Sequence, residues 1–134
     1  MPGPIFAVPA TGYLATVPSM TTRVLGPDDV TTYRSIRLEA LRSDPAAFCS
    51  THEREAAFDD ATFAERLAGY AGRPGVVIVD DAADPAGMVG IGEVEAGGAA
   101  MMWGMWVRPA ARRSGLGARL VEAAVAWADD RGLS

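Results

Sequence analysis

The segment from Ala99 to Val107 most constrains what this chain can fold into, because it is apolar on both faces of a strand. Alternate side chains of a strand point to opposite sides, so Met101, Trp103, Met105 and Val107 share one face. Met102 and Trp106 share the other, with Gly104 between them. A strand of this kind is expected to be covered on both sides. The run before it, Gly87 to Glu95, joins it through Gly97-Gly98, a pair suited to the positive φ angles of a tight antiparallel hairpin. Upstream, Val76-Val77-Ile78-Val79 is short, continuous and β-branched, which reads as a buried strand, and Asp80 to Pro85 turns the chain.

Helical patterns flank this meander. After a short strand at Thr21 to Leu25, Gly26-Pro27-Asp28-Asp29 opens a helix with its carboxylates where the N-terminal dipole favours them. Val30, Tyr33, Ala40 and Leu41 fall near one face, Arg34, Glu39 and Arg42 point to solvent, and Asp44-Pro45 stops the run. A loop through Phe48-Cys49-Ser50-Thr51-His52 leads to a second helix from about Asp59-Asp60 toward Gly69, with Phe63 and Leu67 inward. Leu116, Leu120, Ala123, Ala124 and Trp127 mark a final helix that stops at Arg131-Gly132. The order is strand, two helices, three strands, helix, which predicts a mixed α/β (α+β) domain over residues 21–134. Its sheet is mainly antiparallel, with helices on both faces. Residues 1–20 carry four prolines and no charged side chain, so they read as a flexible leader rather than a signal peptide, and Met20 is a candidate start.

Charge and residue counts exclude several functions. A net charge of -5 argues against nucleic acid as a partner and mildly favours cationic ligands such as amines. No apolar run reaches the roughly 18 residues of a membrane span, so a soluble protein is expected, and with a single cysteine nothing ties it to an oxidising compartment, so a cytoplasmic location is expected. One cysteine, Cys49, cannot form an internal disulfide and is expected as a small buried apolar side chain. One histidine and one cysteine make a metal site improbable. The stretch Gly90-Ile91-Gly92 starts like a dinucleotide fingerprint, but Glu95 occupies the third glycine position and a strand follows. His52 is expected to be a solvated loop residue rather than a base.

The chemically informative segment lies where the last strand becomes the final helix: Met105-Trp106-Val107-Arg108-Pro109-Ala110-Ala111-Arg112-Arg113-Ser114-Gly115-Leu116-Gly117. Unpaired N–H groups and the dipole at a helix start attract anions, and the missing side chains at Gly115 and Gly117 let phosphate oxygens approach the main chain. Arg112 and Arg113 add positive charge, with the main chain expected to do most of the gripping.

These residues resemble the cofactor loop of the GCN5-related N-acetyltransferases, which reads Gln or Arg, any two, Gly, any one, Gly or Ala. Here it is Arg112-Arg113-Ser114-Gly115-Leu116-Gly117, preceded by a strand ending Trp106-Val107-Arg108-Pro109. The stretch Tyr33 to Arg42, Asp44-Pro45-Ala46-Ala47-Phe48 and then Ser50-Thr51 is similar to one branch of that family. The resemblance implies direct acetyl transfer from acetyl-CoA, as co-substrate, to a small-molecule or peptide amine. It implies that the main chain near Met105, Trp106 and Val107 pairs with pantetheine and that a backbone N–H there polarises the thioester carbonyl. Glu93, on the neighbouring strand, becomes the candidate general base. Glu53, Glu55 and His52 become candidate borders of the acceptor pocket. The family continues past its cofactor helix with further strands, whereas this chain stops at Leu133-Ser134, so an incomplete domain is expected with the edge from Trp103 to Val107 open. That edge offers a route to a homodimer. Two alternatives remain at this stage: a non-catalytic module that binds acyl-CoA, and a remnant that only self-associates.

Overall fold

The computed structural model describes residues 21–70, 72–95 and 98–133. The expected leader over residues 1–20 and the Gly97 half of the hairpin turn lie outside the described residues. Strand β1 (Thr22–Val24) is followed by helices α1 (Val30–Ser43), α2 (His52–Ala56) and α3 (Asp60–Leu67), then by strands β2 (Gly69–Tyr70), β3 (Arg73–Asp80), β4 (Gly87–Glu95) and β5 (Ala99–Val107), and last by helix α4 (Leu116–Asp130). The sheet runs β1-β3-β4-β5 with every pair antiparallel, and β2 pairs with β3. This is the mixed α/β fold expected from the sequence, with β2 and the five-residue helix α2 added. Thr51 nucleates α2 by accepting a hydrogen bond from the Arg54 N–H at 3.1 Å, a short cap that loop composition alone did not reveal.

Two cores sandwich the sheet. On one face Tyr33, Ile36 and Ala40 of α1 and Phe63 and Leu67 of α3 pack on Val77, Val79, Met88 and Trp106. On the other face Leu116, Leu120 and Ala124, one turn apart along α4, pack on Ile78, Val89 and Ile91. Each fully buried leucine of α4 is worth roughly 2–5 kcal/mol against alanine, far more than the helix propensity of the same residue. Tertiary packing therefore fixes α4. Its C-terminus closes with Gly132 at φ +71, where the Leu133 N–H reaches the Ala128 carbonyl at 2.9 Å. Among the described residues no helix is long and apolar enough to cross a membrane.

The structure corrects the expectation for β5. Met88 pairs with Trp106 but Gly90 pairs with Trp103, so Gly104 and Met105 together oppose Val89. This is a β-bulge, and Gly104 at φ +59 takes the left-handed conformation that such a position demands. The extra residue moves Trp103 and Trp106 onto the same face, against the α1 core, where simple alternation put them on opposite faces. Nor is β5 covered throughout. It is an edge strand, and the helical layers reach Trp103, Trp106 and Val107 but leave Met101, Met102 and Met105 exposed at 55%, 44% and 38%.

The glycines of β4 now have a packing role in place of a nucleotide one. A Cβ on Gly90 would collide with the Trp103 ring, which lies across the glycine from the neighbouring strand. Gly90→Ala is expected to lower stability by about 2 kcal/mol through overpacking, read as a shifted urea midpoint; an unchanged midpoint would show that Trp103 does not rest there.

Candidate functional site

The bulged strand ends in a braced turn. After Val107 the chain passes through a single 3₁₀ turn at Pro109–Ala111 and enters α4 with Gly115 as N-cap at φ +90. Arg113, at φ +67, also adopts the left-handed region. The Ser114 hydroxyl donates to the Ala111 carbonyl at 2.6 Å and accepts from the Leu116 N–H at 3.3 Å. The next N–H groups, of Gly117 and Ala118, sit in the first helical turn, where no intrahelical acceptor exists. A Cβ placed on Gly117 would lie 3.5 Å from the Met105 terminal methyl and 3.9 Å from Val107, so bulge and helix start adjoin. The arrangement suits an anion carried on an extended chain that follows β5.

Arg112 has a different role from the one its charge suggested. Its guanidinium donates to the Val107 carbonyl at 2.8 Å and to Asp44 at 2.8 Å. Asp44 also accepts from the Trp106 indole at 2.7 Å, and these donors hold its carboxyl below the ordinary carboxylate range. Arg112 thus ties the loop to the end of α1, while Arg113 remains exposed.

Beyond the other end of the bulge lies a cavity of about 440 Å³. Its apolar wall comes from Pro74, Val94, Met101 and Trp103, and its charged wall from Arg37, Arg54, Arg66 and Arg73 with Glu55 and Glu93. Glu55 is fully buried and accepts from Arg37 through both oxygens, at 2.9 and 3.0 Å, and from Arg66 at 3.2 Å. Burial opposes its ionisation, but the Arg37 hydrogen bonds and the two positive charges outweigh that, and its carboxyl titrates below the usual range. Ser50 Oγ lies buried beside it without meeting hydrogen-bond geometry. Glu93 is freer: its ion pair with Arg73 spans 3.7 Å. The third nitrogen of Arg37 points to the bulge, 3.2 Å from where a Gly104 Cβ would stand.

Of the sequence candidates, Glu55 and Glu93 line the cavity, whereas Glu53 and His52 do not; His52 contacts Arg42 at 3.0 Å on the surface. Cys49, expected in the interior, is exposed at the cavity wall. The buried Arg37 was missed, although its position four residues after Tyr33 and three before Ala40 puts it on the apolar stripe of α1. Among the described residues no group of three or more histidine, cysteine, aspartate or glutamate side chains is placed to hold a metal ion.

Known proteins share this architecture. The sequence model of the acetyltransferase (GNAT) family matches residues 36–134. Among solved structures, a GCN5-related N-acetyltransferase from Ralstonia eutropha JMP134 superposes with a TM-score of 0.61 at 21% identity, over 84% of this chain and 77% of that one. A tandem GNAT protein from the clavulanic acid biosynthesis pathway gives 0.60 at 18% identity, over 84% of this chain and 34% of its own. The aminoglycoside acetyltransferase HMB0005 from an uncultured soil metagenomic sample gives 0.58 at 16%, over 84% and 73%. At these identities the likeness speaks for the fold. A search of the curated proteins gave no match.

The arginine network makes a prediction about acid. Glu55→Gln leaves Arg37 and Arg66 without their shared counter-charge and is expected to cost about 3 kcal/mol at neutral pH. Because the folded pKa is depressed, this stabilisation is complete above the ordinary glutamate value near 4.5 and is lost as pH falls through the folded value. Urea unfolding at neutral pH and again at about pH 3 should therefore show the gap between the two proteins narrowing in acid. Equal stability at neutral pH would contradict the network.

Proposed function

The chain belongs to the acetyltransferase (GNAT) family, and from that premise we propose that it transfers an acetyl group from acetyl-CoA to an amine held in the cavity beside β5. One observation carries the reading: the anion-ready start of α4 and the cavity adjoin opposite ends of the same bulge, through Met105 beside Gly117 and through Trp103 in the cavity wall. A thioester with its pyrophosphate at Ser114 to Gly117 and its pantetheine along β5 would present its carbonyl next to the amine. The bulge helps here, because it interrupts the ladder and leaves the main chain of Gly104 and Met105 without a paired residue on β4.

The amine must be neutral to attack. Its nitrogen forms a bond to the acetyl carbon as the bond from that carbon to sulfur breaks; the amine loses one proton and the departing thiolate gains one. Of the two cavity carboxylates, Glu55 is saturated by Arg37 and Arg66, which leaves Glu93 as the general base of this proposal, passing the proton on to solvent. The enzyme's larger contribution is to hold two substrates in one orientation.

Calorimetry with acetyl-CoA tests the cofactor half of this reading. Gly115→Trp should abolish binding by filling the approach to the helix start, while Gly117→Ala, whose new methyl meets only ordinary contacts, should retain it. No binding by the folded wild-type chain would reject the proposal. For the acceptor half, Glu93→Gln should lower kcat about 100-fold with acetyl-CoA affinity unchanged; an unaltered kcat would assign the proton to water alone.

A further inference from the structure

The cavity carries more positive charge than its own carboxylates neutralise, and we infer that its acceptor is an amine that also bears an anionic group, a carboxylate or a phosphate. The inference rests on the reading of this cavity as the acceptor pocket. Four guanidinium groups and two carboxylates line it, an excess of +2 in a chain whose net charge is -5. Among the described residues the excess is not spent within the protein. Glu55 serves both Arg37 and Arg66, so one counter-charge is divided between two cations. Arg73 reaches Glu93 at only 3.7 Å, with both side chains half-buried. Arg54 makes no ion pair among the described residues and meets only the Phe58 ring, at 5.9 Å.

Two consequences follow for recognition. Arginine's planar fork pairs with a carboxylate or phosphate through two parallel hydrogen bonds, and it does so more strongly where apolar walls limit water. Here those walls are Pro74, Val94, Met101 and Trp103, so an acceptor with an apolar body and an anionic end matches both surfaces. The same charge works against a cationic acceptor. A protonated amine beside a net positive wall loses its proton more readily, which supplies the neutral nucleophile that attack requires, whereas a polyamine or aminoglycoside would bring further cations into like charge. The overall acidity of the chain pointed toward cationic ligands, and the local arrangement reverses that sign. The anionic group takes no part in the bond changes; the acetyl group still passes from sulfur to nitrogen.

Matched probes separate this inference from the proposed reaction. L-Phenylalanine and its uncharged-end analogue L-phenylalaninamide, O-phosphoethanolamine and ethanolamine, and spermidine would each be titrated into the full chain, and each assayed for thiol release from acetyl-CoA. At least one anionic probe should bind about tenfold more tightly than its partner, the better pair identifying carboxylate or phosphate. Arg54→Gln and Arg73→Gln, both at exposed or half-exposed positions, should each bring the affinity ratio within that pair most of the way to one, with the melting temperature unchanged. Equal affinities within both pairs, tighter binding of spermidine, or no binding of any probe overturns the inference. Thiol release without an anion preference would keep the acetyl transfer and remove the inference; an arginine-dependent anion preference without thiol release would do the reverse.

Discussion

Between the pair Met88 and Trp106 and the pair Gly90 and Trp103, β5 uses two residues where β4 uses one. The rest of the site follows from that mismatch. It turns both tryptophans toward α1, where Trp106 buries itself and bonds Asp44 while Trp103 covers Gly90 and walls the cavity. It brings Met105 over the start of α4. It also breaks the ladder at the one place where a ligand lying along the strand needs main-chain partners. A regular strand would present none of these together, because each depends on the half-turn that the extra residue adds.

A second constraint comes from arginine. Every side-chain cation in the chain at neutral pH is an arginine, and Arg37, Arg108 and Arg112 use the planar fork in ways that a lysine point charge would serve poorly. Arg112 joins strand end to helix end, Arg108 grips Glu39 through two nitrogens, and Arg37 grips Glu55 in the same way. Arg37 and Glu55 tie α1 to α2, which would otherwise be a five-residue helix with little to hold it. Structural ion pairs and surplus guanidinium charge thus occupy the same wall, and the proposed acceptor would be selected by that surplus.

Much of this was legible in the sequence, and the failures have physical causes. The hairpin over Gly87 to Val107, the helix after Gly115 and the family to which the chain belongs could be read from periodicity, turn residues and one loop motif. The faces of β5 could not, since alternation assumes a constant register and a single glycine breaks it at Gly104. Arg37 was overlooked because charge was read as exposure, although its spacing from Tyr33 and Ala40 matched the buried stripe. Glu39 was assigned to solvent because its partner Arg108 is 69 residues away in sequence. Cys49 followed the habit of its residue type rather than its place at the cavity wall. The β5 register and the Glu39–Arg108 pair depend on partners distant in sequence, which local pattern does not encode.

In the proposed reaction the bulge of β5 and the start of α4 form one continuous cofactor site. Backbone amide NMR of the isotope-labelled chain titrated with CoA tests it most directly, because it reads every position at once. The account predicts saturable shifts concentrated at Gly104 to Val107 and at Ser114 to Ala118. Shifts gathered elsewhere, or none on a folded chain, would contradict it.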